Sequence, residues 1–465
     1  MLAFVGCAHF EDKPLVPTRV AEALESRSLA EAGLQDFVSI NLGRNVPAWP
    51  PSEWNLDQLT LAAIYFHPGL DVARAQWAVA RASIRSAGAR PNPTVGVTPE
   101  YNISAASGVS PWAPGLSFDV PIETAGKRGH RVARASHLAE AARLQIVNQA
   151  WQVRSQVRSA LADYVGISTR LTLLQKRLEF QDQIVAMLEQ RLAVGAVSVN
   201  EVATARVAAT KWRTELAAER SRLGEARAAI ASAIGLPTKA VTGVEFRFDL
   251  AVEADASRRV DSVELRQAAL QQRADIRMAL AEYVASQSAL QLEIAKQWPD
   301  VHFGPGYQWD QGEGKWSLGL SVTLPVLNQN QGPIAEAEAR RVEAAARFTA
   351  FQARIVAELD HAEAAWRTAQ EQLRQTDELV AVQAGQLSRL DVAQAVGGAD
   401  RLTVATARLE VAAVELLRHE ALVQAARAFN EVEAGLQRPI EFLETTALGS
   451  TAAERSTAAK DSRSQ

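Results

Sequence analysis

Cysteine is almost missing from this chain. Of 465 residues only Cys7 is one, so no intramolecular disulfide can form. Aromatic residues are scarce at 6%, although hydrophobic residues reach 48% with alanine contributing heavily. That balance suits long helices packed through small residues better than a thick globular core. The net charge of -4 gives no reason to expect nucleic acid as a partner. No run of about 18 uncharged apolar residues is present, which argues against a transmembrane helix. There is no Gly-x-Ser-x-Gly and no glycine-rich phosphate loop with its lysine, so nothing points to an enzyme or to a bound cofactor. The seven histidines are scattered. His67, His302, His361 and His419 stand alone, and His130 and His137 would lie about 10 Å apart along a helix, too far to share one ion. No metal site is expected.

Against this background two short stretches stand out. The first runs from Pro299 to Pro325. Val301, Phe303, Tyr307 and Trp309 alternate with His302, Gly304, Gly306 and Gln308, and after a glycine-rich turn Leu318, Leu320, Val322 and Leu324 alternate with Ser317, Gly319, Ser321 and Thr323. This is a hairpin with one apolar face and one small or polar face. The second runs from 93 to 121. Val95, Val97, Tyr101 and Ile103 share one parity, and Leu116, Phe118 and Val120 alternate with Gly115, Ser117 and Asp119.

The remainder reads as helix. Residues 130–192 contain no proline and a single glycine, Gly166. One helix of that length would be roughly 95 Å long. The second half of the chain replays the first. Pro93 lies 206 residues before Pro299, and Val202-Ala-Thr-Ala-Arg206 recurs as Val404-Ala-Thr-Ala-Arg408, with Gly195 and Gly397 each seven residues ahead of its copy. The expected organisation follows. Residues 1–54 are a mostly extended segment with a short helical pattern over Thr18 to Asp36. Residues 55–237 are a first repeat of helix, hairpin 93–121, long helix 130–192 and helix 200–235. Residues 238–260 are a linker with alternating Val244, Phe246, Phe248 and Leu250. Residues 261–439 are a second repeat with hairpin 299–325, long helix 334–396 and helix 400–436. Residues 440–465 are a polar tail. The apolar run ending Gly6-Cys7 resembles the processing site of a bacterial lipoprotein, which would put a lipid on Cys7. The alternative is a thiol with no such role.

Each strand is about ten residues long, enough to cross a hydrocarbon layer with a tilt. A sheet in lipid must close, and four strands are too few to close around a channel. Three copies would supply twelve strands, an even number in the known range. Tyr101, Trp112, Trp298, Tyr307, Trp309 and Trp316 fall near strand ends or loops, as interfacial aromatics would.

The duplicated helix and hairpin order, over essentially residues 55 to 445, resembles the outer membrane factor family, the TolC-like exit ducts of tripartite efflux pumps and type I secretion systems. The segment Gly115-Leu-Ser-Phe-Asp-Val-Pro-Ile-Glu-Thr-Ala-Gly-Lys-Arg128 is similar to the branch that serves heavy-metal cation efflux. The resemblance implies an internally duplicated α+β membrane protein. Four strands per chain would contribute to a trimeric, twelve-stranded outer-membrane barrel, continued by a long periplasmic α-helical barrel. It implies a homotrimer in outer-membrane lipid, with a periplasmic adaptor and an inner-membrane RND pump as partners and a passive conducting role. It also places the turns at Gly195 and Gly397 at the periplasmic tips, with Glu189, Arg191, Glu201, Asp391, Asp400 and Arg401 as gate candidates. The family's paired acidic ring would fall at Thr403 and Thr406, where this chain departs from it. Ser117, Asp119, His302 and Gln308 are the expected lumen-facing residues. Drug, organic-compound or protein export on the same fold, and a soluble periplasmic scaffold or adaptor, are the alternatives.

Overall fold

The computed structural model describes residues 9–44, 46, 48–251 and 263–439. The expectations for Cys7, for the end of the 238–260 linker and for the 440–465 tail fall outside the described residues. In chain order the elements are α1 (Pro17–Glu25), α2 (Ala32–Leu42), β1 (Glu53–Trp54), α3 (Leu56–Phe66), α4 (Pro68–Ala87), β2 (Thr94–Tyr101), β3 (Trp112–Ile122), α5 (Lys127–Ala193) and α6 (Val199–Ile234). Then come β4 (Glu245–Phe246), α7 (Val263–Gln272), α8 (Ala274–Ala295), β5 (Val301–Asp310), β6 (Glu313–Val322), α9 (Gln331–Ala395) and α10 (Arg401–Leu436). They group into two compact units, one of residues 1–68, 150–262 and 360–465, the other of 69–149 and 263–359. No helix among the described residues is long and apolar enough to cross a membrane.

The first unit is helical. Along its part of α5 the buried positions Val153, Val157, Leu171, Leu174, Gln181 and Leu188 keep a register of about 3.5 residues, the period of a coiled-coil seam. Opposite them α6 and α10 present small residues, including Ala205, Ala209, Ala405 and Ala412, which let the backbones approach. Gly166 shows how closely. A Cβ there would sit 2.9 Å from Val423 on α10. The same approach brings His419 Nε2 to 2.7 Å from the Gly166 carbonyl. Burial pushes the His419 imidazole below its ordinary pKa, so it stays neutral and donates this bond. Glu433, 3% exposed, receives Arg154 at 2.8 Å and Arg158, which also stacks over Phe429.

The single helical pattern over Thr18 to Asp36 resolves into two helices, α1 and α2. Between them the Ser28 N–H donates to the Glu31 carboxylate at 3.3 Å and the Ser28 hydroxyl accepts from the Ala30 N–H at 3.2 Å. These local bonds compete with helical ones, and Leu29 is buried. Arg27 then ties this link to the ends of α3 and α6, donating to the carbonyls of Phe66 (2.8 Å) and Gly235 (3.3 Å). In the linker, β4 pairs in parallel with β1, Trp54 opposite Phe246. Leu250 packs with Ala162 and Ala426.

The second unit carries the sheet, an antiparallel array in the order β2-β3-β5-β6. The two hairpins therefore meet at β3 and β5. That junction keeps one register throughout, from Gly115 opposite Gln308 to Ile122 opposite Val301, but pairing lapses at Phe118 and Asp119. Proline 305 lies opposite Phe118 in that register and has no N–H to donate.

Both repeats break their first helix at the same place. Asn55 starts α3 with a reciprocal capping box, and the helix stops at His67, pushed out of helical geometry by Pro68. In the second copy α7 stops at Arg273, 206 residues later, with no proline. There Arg273 and Asp275, both buried, hold each other at 2.6 and 3.0 Å. The long helices start three residues earlier than their patterns suggest, because Gly129 and Pro333 lie in first turns, where a missing helical N–H partner costs little.

Gly235 closes α6 at φ +88°, and a Cβ there would meet the Phe66 carbonyl, His67 and Pro68 at 2.9 to 3.0 Å. Gly235→Ala is expected to destabilise the detergent-solubilised chain by about 2 kcal/mol or more. Gly224→Ala, at an exposed helical site with open space around it, should instead stabilise it by up to about 1 kcal/mol. Denaturant midpoints of the two variants check both.

Candidate functional site

The strand alternation separates the sheet into two unlike faces. One carries Val95, Val97, Leu116, Phe118, Val120, Phe303, Leu318 and Leu320, all exposed; Leu318 and Leu320 are each 71% accessible. At the hairpin ends this face bears two cross-strand aromatic pairs, Tyr101 with Trp112 at 5.0 Å and Tyr307 with Trp316 at 4.9 Å. Such pairs stabilise a register beyond their burial. The other face is polar or bare. Ser117, Asp119, His302 and Gln308 all lie on it, together with Gly96, Gly304, Gly306 and Gly319. His302 Nδ1 is 3.0 Å from both carboxylate oxygens of Asp119. Gln308 donates to Glu100 at 3.2 Å. Lys315 meets Asp310 at 2.8 Å, and Glu313 lies opposite Asp310. Acidic groups outnumber basic ones on this face.

The segment following β3 forms the joint between sheet and helices. Lys127, 7% exposed, donates to the Trp298 carbonyl at 2.6 Å and to Asp300 at 2.7 Å. The Thr124 N–H donates to the same Asp300 carboxylate at 2.9 Å, and its hydroxyl to the Pro299 carbonyl at 2.7 Å. Glu123 pairs with Arg131, and Arg128 and Arg131 donate to the carbonyls of Gly88 and Ala87 at the end of α4. The Glu-Thr-Ala-Gly-Lys-Arg run is thus a joint in which each charged side chain has a partner. The second repeat has no such run after β6. There Asn330 ties the start of α9 to Glu293 instead.

The tips are built twice on one plan. After α5, Gly195 takes φ +71° while the Ala196 N–H bonds back to Arg191 O (2.8 Å) and the Gly195 N–H to Leu192 O (2.9 Å). After α9, Gly397 takes φ +78° with Gly398 to Ala393 (2.8 Å) and Gly397 to Gln394 (3.1 Å). Both are Schellman closures, which need a residue free to adopt the left-handed region. The repeated Val-Ala-Thr-Ala-Arg segments now have a role. Arg206 reaches back 17 residues to Glu189 at 2.7 Å, and Arg408 reaches back 17 residues to Asp391 at 3.1 Å. Glu201 is occupied locally, accepting from the Ser198 N–H (3.0 Å) and hydroxyl (2.9 Å). Arg191 pairs with Asp400, joining the first tip to the second above an apolar cluster of Ile184, Leu188, Val202, Ala205 and Ala405. The duplicated plan does not repeat this pair, since the equivalents of Arg191 and Asp400 are Ala393 and Ser198. Arg401 starts α10 beside it. The cross-tip pairs escape sequence reading because 17 residues is no helical spacing; the one available signal is that Glu189 and Asp391 both stand six residues before their glycine.

Comparison with known proteins places this architecture. The sequence profile of the outer membrane efflux protein family matches residues 62–236 and 265–438, well over half of the chain, in the same two blocks as the repeats. The chain belongs to the outer membrane efflux protein family. Among curated relatives, the cobalt-zinc-cadmium resistance protein CzcC of Cupriavidus metallidurans is 24% identical over 217 residues, which are 46% of this chain and 50% of CzcC. The match spans about half the length of that relative. Among solved structures, the outer membrane protein VceC of Vibrio cholerae superposes with a TM-score of 0.66 at 20% identity, covering 83% of this chain and 96% of VceC. CusC, described in terms of transmembrane channel formation, gives 0.66 at 17% identity over 84% and 94%. The fold is that of these outer-membrane channels.

Lys127→Met leaves Asp300 without its cation and is expected to lower stability by roughly 2 kcal/mol; Arg143→Ala, which breaks an exposed pair with Glu140, should change it by no more than about 0.5 kcal/mol. Thermal unfolding in detergent compares them. At the tip, the Arg191 hydrogen bond holds the Asp400 carboxyl below its ordinary value. Its contribution is therefore complete above about pH 3.9 and is lost only as pH falls below that. Hydrogen exchange of 191–202 and 397–408, corrected for intrinsic rates, should be the same at pH 6 and pH 8 and faster in Asp400→Asn at both.

Proposed function

We propose that three copies of this chain close a twelve-stranded barrel in the outer membrane and continue it as a helical tunnel in the periplasm. The assembly serves as a passive exit duct for heavy-metal cations delivered by an inner-membrane RND pump through a periplasmic adaptor. The observation that carries this reading is the exposed apolar face of the sheet, bounded by two open edges, β2 and β6. Open edges cannot stand in lipid, and pairing β6 of one copy with β2 of the next removes both. Three copies give twelve strands, within the range of known barrels. The apolar face then meets lipid and the polar face water. Family membership supports the outward-conducting role.

Support for metal cations comes from the likeness to CzcC and from the wet face, where Glu100, Asp119, Asp310 and Glu313 stand against Lys315. Acidic groups lining a low-dielectric wall raise local cation concentration. The tip residues Glu189, Arg191, Glu201, Asp391, Asp400 and Arg401 are the proposed periplasmic entrance, with Arg191–Asp400 as a restraint on its opening.

Detergent-extracted protein is expected to run as three chains of 50.3 kDa each; a water-soluble monomer that ignores membranes would sink the assembly. In planar bilayers Arg191→Ala should conduct at least twice the wild-type current. Deleting the gene should sensitise its host to cobalt, zinc or cadmium salts. Unaltered metal tolerance with lost tolerance to organic toxins would move the cargo to organic compounds.

A further inference from the structure

The polar face of the sheet holds one imidazole, and that imidazole is paired with a carboxylate. A carboxylate can only accept, so the contact of His302 with Asp119 fixes the ring proton on Nδ1, which donates to both oxygens at 3.0 Å. In the neutral ring the lone pair is then on Nε2, which has no hydrogen-bond partner among the described residues. Imidazoles that bind metal nearly always donate their other nitrogen to a carboxylate or carbonyl in this way, which sets the tautomer and strengthens the donor. The ring is accessible, with 40% of the His302 side chain exposed. Its cross-strand neighbours are Ser321 on β6 and Pro121 on β3, and the next position on its own face is Gly304. It lines a cleft of about 530 Å³ with Asp300, Thr323, Trp298, Lys127 and Lys296, where Lys127 is held by Asp300 and Lys296 by Glu293.

We propose that His302 is a coordination point for divalent transition-metal ions, binding through Nε2 with Asp119 as the orienting carboxylate. This deepens the metal-cation reading above and rests on it. The ion exchanges one water for the imidazole nitrogen, and the Nδ1 proton stays where it is. Imidazole suits zinc, cobalt, copper and related ions and discriminates against magnesium and calcium, which take oxygen. Asp300 supplies no second ligand, since Lys127 and the Thr124 N–H already hold its carboxylate. Among the described residues no three His, Cys, Asp or Glu side chains come together to hold a metal. One protein ligand completed by water makes a weak, rapidly exchanging site, which is what a duct requires of any contact with its cargo.

Copper-directed oxidation tests the site without needing a conducting channel. The purified full-length protein in detergent is titrated with Cu²⁺, treated with ascorbate and peroxide, and digested; a histidine beside bound copper gains oxygen. His302 should be oxidised at least five-fold faster than the exposed His361. Excess Zn²⁺ should suppress the difference and excess Mg²⁺ should not. Asp119→Asn, checked for unchanged circular dichroism and oligomer mass, should reduce His302 oxidation about ten-fold. Equal rates at His302 and His361, or no effect of Asp119→Asn, overturns the site. Selective oxidation in a protein whose deletion leaves cobalt, zinc and cadmium tolerance intact keeps the site and removes the export reading. Metal sensitivity on deletion without selective oxidation does the reverse.

Discussion

Backbone hydrogen bonding is the constraint from which the rest of this structure follows. The four strands satisfy one another at three interfaces and leave two rows of N–H and C=O groups open, one on β2 and one on β6. In water such rows are a liability, and in hydrocarbon each group costs several kcal/mol. The apolar face argues against leaving the sheet in water, because its leucines and valines have nothing among the described residues to cover them. The open edges rule out leaving it alone in lipid. The proposed closed ring of identical sheets would meet both demands, and the joint at Thr124, Lys127 and Asp300 holds the two hairpins in one register where they leave the helices.

Duplication explains what the two halves share and what they do not. The Schellman turns, the Arg-to-carboxylate pair across each tip and the break in the first helix recur at matching positions, because each solves a problem that both halves have. The devices differ where one copy suffices. A proline breaks the first helix in one half and a buried Arg273–Asp275 pair does so in the other. A charged joint anchors β3 to the helices, while Asn330 does less elaborate work after β6. The Arg191–Asp400 pair arises between the halves and has no counterpart in the repeat.

Much of the fold could be read from residue order. Alternation at Val301 to Trp309 and Leu318 to Leu324 gave the hairpin and its faces, even across Pro305. Glycines at 195 and 397 gave the tips, since an otherwise uninterrupted helical run has few other places to stop. Local signals failed where distant partners decide. Nothing near Ser28 marks it as a break, because the reason includes the burial of Leu29 and the pull of Arg27 on Phe66 and Gly235. Lys127 and Asp300 are 173 residues apart, so their pairing is visible only once β3 and β5 lie side by side. Parity alone puts the four polar residues Ser117, Asp119, His302 and Gln308 on one face, but the contact between Asp119 and His302 depends on the β3–β5 register.

The bare positions on the wet face have a consequence of their own. With Gly96, Gly115, Gly304, Gly306 and Gly319 on that side, much of what a solute passing through the proposed barrel would meet there is peptide backbone, already engaged with neighbouring strands. Such a wall is smooth on the scale of a hydrated ion and has few projecting groups to adhere to. Transit along it in the proposed barrel would resemble drainage through a bare pipe, with throughput set by the supply upstream and delay confined to the few places where a side chain reaches in.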